Sequence, residues 1–163
     1  KEVSREYVNA ISTMNWHGVA ESVESSRKLL EALWNMDADA VAEGIEKAHE
    51  EISILQYNDE NSLSCTIQLA FYFAREYYTI VRELPAGKGF ADVCMIPGKK
   101  YPDKPAVVIE LKWDKSAGGA IEQIKEKQYG NALKEYQGKL LLVGINYNKT
   151  TKKHECVMEM MKK

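Results

Sequence analysis

The sequence predicts an α/β protein: a mixed central sheet of four to five strands with flanking helices, preceded by a small helical segment. Three observations carry this. Before about residue 56 the apolar residues recur only at helical spacing. After it, helical stretches and β-branched runs follow in the order helix, three strands, helix, two strands. The run "KLLLVGINY" is strongly apolar and strand-like. The expected division is therefore 1–55, a helical connector, and 56–163, the α/β domain.

In the first part, "VSREYVNAIS" opens with Ser4 as an N-cap. "AESVESSRKLLEALWN" puts Val19, Val23, Leu29, Leu30 and Leu33 on one helical face. "DADAVAEGIEKAHEEIS" opens with Asp37 as a cap and runs Val41, Ile45, Ala48 and Ile52 along a stripe. Single apolar faces of this kind must pack against the rest of the chain or a further domain. Nothing in them carries chemistry.

In the second part, Asp59 caps a helix expected to reach about Tyr77, with Leu63, Ile67, Ala70, Phe71 and Ala74 on its apolar face. Strands follow at "YTIVREL", "FADVCMI" and "AVVIELKW", the last two joined by the loop "PGKKYPDK". Their closeness in sequence predicts an antiparallel meander. "SAGGAIEQIKEKQYGNALKEYQ" is a helix with Ser116 as cap. The strand "KLLLVGINY" follows it and can pair in parallel through a right-handed crossover. "KHECVMEM" reads as a weaker edge strand.

The 163 residues are 45% hydrophobic and 28% charged, ordinary for a globular domain. No apolar run approaches the roughly 20 residues needed to span a membrane, so no membrane partner is expected. No signal peptide is visible, and a chain beginning at Lys1 is expected to be part of a longer protein. Cys65, Cys94 and Cys156 are far apart and fit neither a disulfide framework nor a zinc site, which points to a reducing cytoplasm. His17, His49 and His154 each stand alone among surface-type residues and are read as neither ligands nor bases. The net charge of −2 argues against a general nucleic-acid coat. Residues 1–98 hold 8 basic and 16 acidic side chains, whereas residues 99–163 hold 14 and 8. The basic half permits a phosphate-binding face.

Two of the apolar strands carry charge where an interior strand should have none: Asp92 in "FADVCMI", and Glu110 with Lys112 in "AVVIELKW". An ionised group in a dry interior costs several kcal/mol or more unless paired or bound to a metal. Alternation along a strand points Glu110 and Lys112 the same way, with Val107, Ile109 and Leu111 opposite. If the two strands pair, Asp92 can lie beside Glu110. Adjacent carboxylates repel unless a divalent cation sits between them, and Mg²⁺ suits a site of one or two carboxylates completed by water and phosphate oxygens. The alternative is an internal salt bridge from Lys112 to Asp92 or Glu110.

Helix, "GFAD", "VVIELKW", then a helix holding "AIEQIKEKQY" resembles the PD-(D/E)xK nuclease superfamily. It is most similar to the branch found as the C-terminal domain of bacterial AAA-ATPase-like proteins. The resemblance covers roughly residues 50–160 and implies a restriction-endonuclease-like core. No proline precedes Asp92, a departure common in this branch. On this resemblance Asp92 is the motif aspartate, and Glu110 and Lys112 form the E-x-K. Gln123 is the glutamine of the following helix, and Tyr129 the tyrosine often seen after it. Glu60 is the acidic residue of the first helix. Its position also suits a favourable charge at a helix N-terminus, and Glu76 is a rival near the helix end.

The resemblance implies Mg²⁺- or Mn²⁺-assisted hydrolysis of a phosphodiester in nucleic acid, DNA being the expected form. Asp92 and Glu110, with Glu60, would hold the metal; Lys112 would stabilise charge on the phosphoryl oxygens or orient the attacking hydroxide. The expected partners are nucleic acid and an ATPase-like domain N-terminal to this one. The competing expectation is a non-catalytic module that uses the same fold to bind nucleic acid or protein. Lys99, Lys100 and Lys104 read as a solvated turn.

Overall fold

The computed structural model describes residues 17–51, 60–86, 89–127 and 139–162. Helices α1 (His17–Trp34), α2 (Ala38–Glu51) and α3 (Glu60–Ala70) precede strands β1 (Tyr78–Ala86), β2 (Gly89–Pro97) and β3 (Ala106–Trp113). Helix α4 (Ala117–Lys127) and strands β4 (Lys139–Asn148) and β5 (Lys153–Lys162) complete the order. Among the described residues the strands form one sheet in the order β1-β2-β3-β4-β5. β1–β2 and β2–β3 are antiparallel, as the short connections require. β3–β4 is parallel, reached through the α4 crossover, and β5 returns antiparallel to β4 at the edge.

The caps form where the short polar side chains stand. Asp37 Oδ1 accepts the Ala40 N–H at 3.1 Å at the start of α2, and Ser116 Oγ accepts the Gly119 N–H at 2.9 Å at the start of α4. The helix expected from Asp59 to Tyr77 is shorter. It ends at Ala70, and a 3₁₀ turn over Tyr72–Glu76 follows. The cause is a competing acceptor: Ser26 Oγ on α1 takes the Phe73 N–H at 2.8 Å, which an α-helix would have given to the carbonyl four residues back. The tighter turn keeps Phe71 and Ala74 buried. The helix expected around Ser4 and the residue Tyr129 lie outside the described residues.

Strand alternation divides the core between the two faces of the sheet. On one face Val93, Met95, Val107, Ile109, Leu111, Leu141, Val143 and Ile145 pack with Leu63 and Ile67 of α3, and with Leu29, Leu33, Val41 and Ile45 of α1 and α2. The apolar faces of α1 and α2 thus close on this chain's own sheet. On the other face Cys94, Ala106, Val108, Leu140 and Leu142 lie against Ile121 and Ile124 of α4.

The histidines differ from the sequence expectation. His154 on β5 is buried, and its ring lies 5.8 Å from that of His49 on α2 and 4.9 Å from that of Tyr147 on β4. Glu46 on α2 accepts the His154 N–H at 3.0 Å and the Lys153 ammonium at 3.3 Å. These contacts join residues 107 and 108 apart in sequence, beyond the reach of local pattern. Burial pushes the His154 imidazole down to about 4, against the pull of Glu46.

Candidate active site

The site face follows from register. Cys94 pairs with Val108 across β2 and β3, and both lie under α4. Asp92 and Glu110 stand two residues further along their strands, towards the same end of the sheet, and so share that face. The pairing of β2 with β3 stops at Val93–Ile109. Beyond it, the Leu111 N–H donates to Asp92 Oδ2 at 2.8 Å, so the aspartate side chain continues the connection where the ladder ends. A charge-assisted bond of this type contributes about 1.5–3 kcal/mol.

Glu110 is 1% exposed. A carboxylate that deep requires a cation or hydrogen-bonding company to remain ionised. Its negative charge reinforces the effect of burial on Cys94, whose thiol is pushed up to about 12 and is inert at neutral pH. Lys112, half-buried two residues on, donates its ammonium to Gln123 Oε1 on α4. The salt bridge to Asp92 or Glu110 was the alternative; the hydrogen bond found is to the helix.

β4 supplies the rest of the wall. In register, Gly144 lies beside Glu110 and Asn146 beside Lys112. A Cβ at Gly144 would stand 2.2 Å from the Ala117 carbonyl oxygen and 3.0 Å from Ala120 Cβ. Only a residue without a side chain lets the first turn of α4 rest on the sheet there. That contact sets the height of α4, and with it the reach from Gln123 to Lys112. Asn146 is fully buried and accepts the Lys115 N–H at 3.0 Å. The sequence reading missed both residues. For Gly144 the signal was present: a lone glycine inside an apolar strand marks close backbone approach. Asn146 carried none beyond being polar in such a strand.

The remaining candidates separate by topology. Asp92 lies in the first half of β2 and Glu110 in the second half of β3, so the β2–β3 loop with Lys99, Lys100 and Lys104 is towards the opposite end of the sheet. Glu76, just before β1, belongs to that far end as well, because Tyr78 pairs with Pro97. This removes it as a rival ligand. Glu60 opens α3 at the terminus opposite the one leading to β1, and its side chain lies outside the described residues.

The donor set fits a hard cation. Asp92 and Glu110 offer two carboxylates on one face, and Oδ1 of Asp92 is not used by the Leu111 bond. Mg²⁺ takes one or two carboxylates and fills its other positions with water and phosphate oxygens. Among the described residues no group of three or more His, Cys, Asp or Glu could hold a metal.

A mixed sheet with helices on both faces, two carboxylates and a lysine at one end of adjacent strands, and a helix-borne glutamine on that lysine define a restriction-endonuclease-like domain. The chain belongs to the PD-(D/E)XK nuclease superfamily, whose family model matches residues 58–156. No curated protein matches it. Among the described residues no helix is long and apolar enough to cross a membrane.

Proposed function

We propose that this domain is a metal-dependent nuclease that hydrolyses phosphodiester bonds in nucleic acid, DNA being the expected substrate. One observation carries the proposal: Asp92, Glu110 and Lys112 share a face at one end of the sheet, and Lys112 is engaged by Gln123 of α4. A binding module has no use for two carboxylates beside a phosphate.

In this proposal Asp92 and Glu110 hold Mg²⁺ or Mn²⁺, with Glu60 as the further ligand implied by the family pattern. The bound metal would lower the pKa of a coordinated water and neutralise charge on the phosphoryl oxygens. The chain's own residues supply the positioning. The Leu111 N–H fixes one oxygen of Asp92, which leaves the other directed by that constraint. Gln123 holds the Lys112 ammonium on the face that carries the carboxylates, where a preorganised positive charge would stabilise the negative charge that builds in the transition state.

The test is cleavage of labelled single- and double-stranded DNA and RNA with Mg²⁺ or Mn²⁺, for wild type and Glu110→Gln. Cleavage by wild type that needs the cation and is lost in Glu110→Gln is expected. No cleavage of any substrate with either metal, alongside retained nucleic-acid binding, sinks the catalytic proposal in favour of a binding module.

A further inference from the structure

Asn146 is a costly residue on stability grounds. Its side chain is fully buried, yet only half of it is used. Oδ1 accepts the Lys115 N–H at 3.0 Å, while Nδ2 has no hydrogen-bond partner among the described residues. Buried donors are rarely left unmet, because the lost hydration is not repaid, and each case calls for a reason other than stability. An apolar side chain of the same size would remove the unmet donor. The Lys115 N–H, on an exposed residue, could turn to water instead.

The place of Asn146 supplies the reason. It lies beside Lys112 across the parallel β3–β4 pair, on the face shared with Gly144, where α4 touches the sheet. The backbone it holds belongs to the loop that carries the chain from Lys112 to α4 in four residues. The same loop is fastened at two further points: the Asp114 N–H donates to the Tyr147 carbonyl, and Asp114 Oδ1 accepts the Lys149 N–H, each at 2.8 Å. Asp114 itself has φ 52°, a left-handed conformation that aspartate tolerates better than most residues. Of these fasteners, the Asn146 bond is the one adjoining the first turn of α4.

We propose that Asn146 is a positioning residue of the site: through Lys115 it fixes the start of α4 and so the registration of Gln123 on Lys112. The inference rests on the nuclease function proposed above. Asn146 touches no substrate in this scheme; it acts through the loop and the helix. A displacement of the lysine by a fraction of an ångström is enough to matter, since misplacement of about 1 Å lowers rates by as much as 10².

The experiment compares wild type, Asn146→Leu and Asn146→Asp by thermal melting, by steady-state cleavage with Mn²⁺, and by amide hydrogen exchange across residues 113–120. Asn146→Leu is expected to melt at or above the wild-type temperature. Its kcat should fall roughly ten- to hundredfold with KM little changed, and exchange at Lys115 and Gly119 should accelerate. A merely structural role predicts the reverse: a lower melting temperature and an unchanged kcat in the folded fraction. Unchanged kcat, or unchanged exchange, in a folded Asn146→Leu protein overturns the inference. If that variant does not fold, Asn146→Asp decides. It keeps the acceptor for Lys115, so its loop exchange should match wild type, and acceleration there overturns the inference. A wild type that cleaves nothing overturns the nuclease proposal and this inference with it. An active wild type beside an equally active Asn146→Leu overturns this inference alone.

Discussion

Gln123, on a helix, accepts the ammonium of Lys112, on the strand beneath it. The bond crosses the layer between α4 and the sheet, so the position of the lysine depends on the seating of the helix. Lys112→Met is expected to leave both carboxylates in place and metal binding intact. Cleavage should fall by about 10² to 10³, the usual loss for one transition-state charge contact. Gln123→Leu should also spare metal binding, with a smaller loss in kcat, because the charge is kept and only its placement is released. Calorimetric Mn²⁺ titration beside single-turnover cleavage measures both. Loss of metal heat in either variant would count against the separation of roles.

The Leu111–Asp92 bond gives Asp92 a structural duty beside its ligand role. Glu110→Ala removes a hard ligand, so metal binding should vanish. Asp92→Ala removes a ligand and also strands the N–H of Leu111, which is 2% exposed, at a cost of about 1–3 kcal/mol. Asp92→Asn keeps an oxygen acceptor for Leu111 and should lose metal affinity with little change in melting. Equal stabilities for Asp92→Ala and Asp92→Asn would mean that the bond does not hold the strand end.

Gly144→Ala is expected to destabilise by about 1–3 kcal/mol, the usual range for an overpacked interior. The added Cβ would meet backbone, the Ala117 carbonyl at 2.2 Å, not the yielding end of a side chain. The helix must lift, and the Lys112–Gln123 bond should lengthen with it. Denaturant melts and cleavage rates should therefore fall together. A Gly144→Ala protein with wild-type stability would show that α4 is not seated as described.

Stability should decline on acidification from about pH 6.5 towards pH 4. His154 has its folded pKa lowered to about 4 by burial, so between those values the unfolded chain binds the proton and the folded one does not. Its contribution is fully present above pH 6.5 and lost as pH falls through about 4. At 1.36 kcal/mol per pKa unit it amounts to about 3 kcal/mol. Glu46 acts in the same direction below its ordinary range. Burial would raise its pKa, but the His154 N–H and Lys153 outweigh that and hold it low. His154→Leu should flatten the slope in urea melts between pH 4 and 7. A slope left unchanged would assign acid sensitivity elsewhere.

Nucleic-acid binding was expected through the basic half, residues 99–163, and the topology divides that half in two. Lys99, Lys100 and Lys104 lie at the end of the sheet remote from Asp92. Exchanging Lys99 and Lys100 for serine should leave cleavage unchanged at low salt. If cleavage instead drops as far as it does for Lys112→Met, nucleic acid must run over the far end as well.

Most of the fold was readable because its signals are local. The apolar, β-branched runs "FADVCMI" and "AVVIELKW" gave the strands, short links gave antiparallel pairing, and an intervening helix gave the parallel β3–β4 pair. Asp37 and Ser116 acted as the caps their side chains suggested. What escaped was set by contacts between distant segments. The 3₁₀ turn depends on Ser26, 47 residues before Phe73. The burial of His154 depends on α2, and the role of Asn146 depends on a backbone N–H 31 residues away. Asp92, Glu110 and Lys112 stood out because charge in an apolar strand is anomalous in any one window of sequence. The partner of Lys112 did not: the sequence pointed to Asp92 or Glu110, whereas the hydrogen bond goes to Gln123 on a different element.

The matched stretch begins at residue 58, yet the apolar surface of the sheet opposite α4 is closed in part by Leu29, Leu33, Val41 and Ile45. A fragment trimmed to the family match would keep β1 to β4 and the charged constellation, cut β5 short at residue 156, and still present that surface to solvent. Sticky, self-associating material is the expected product. The transplantable unit, for fusion to another protein or for crystallisation, therefore begins no later than α1.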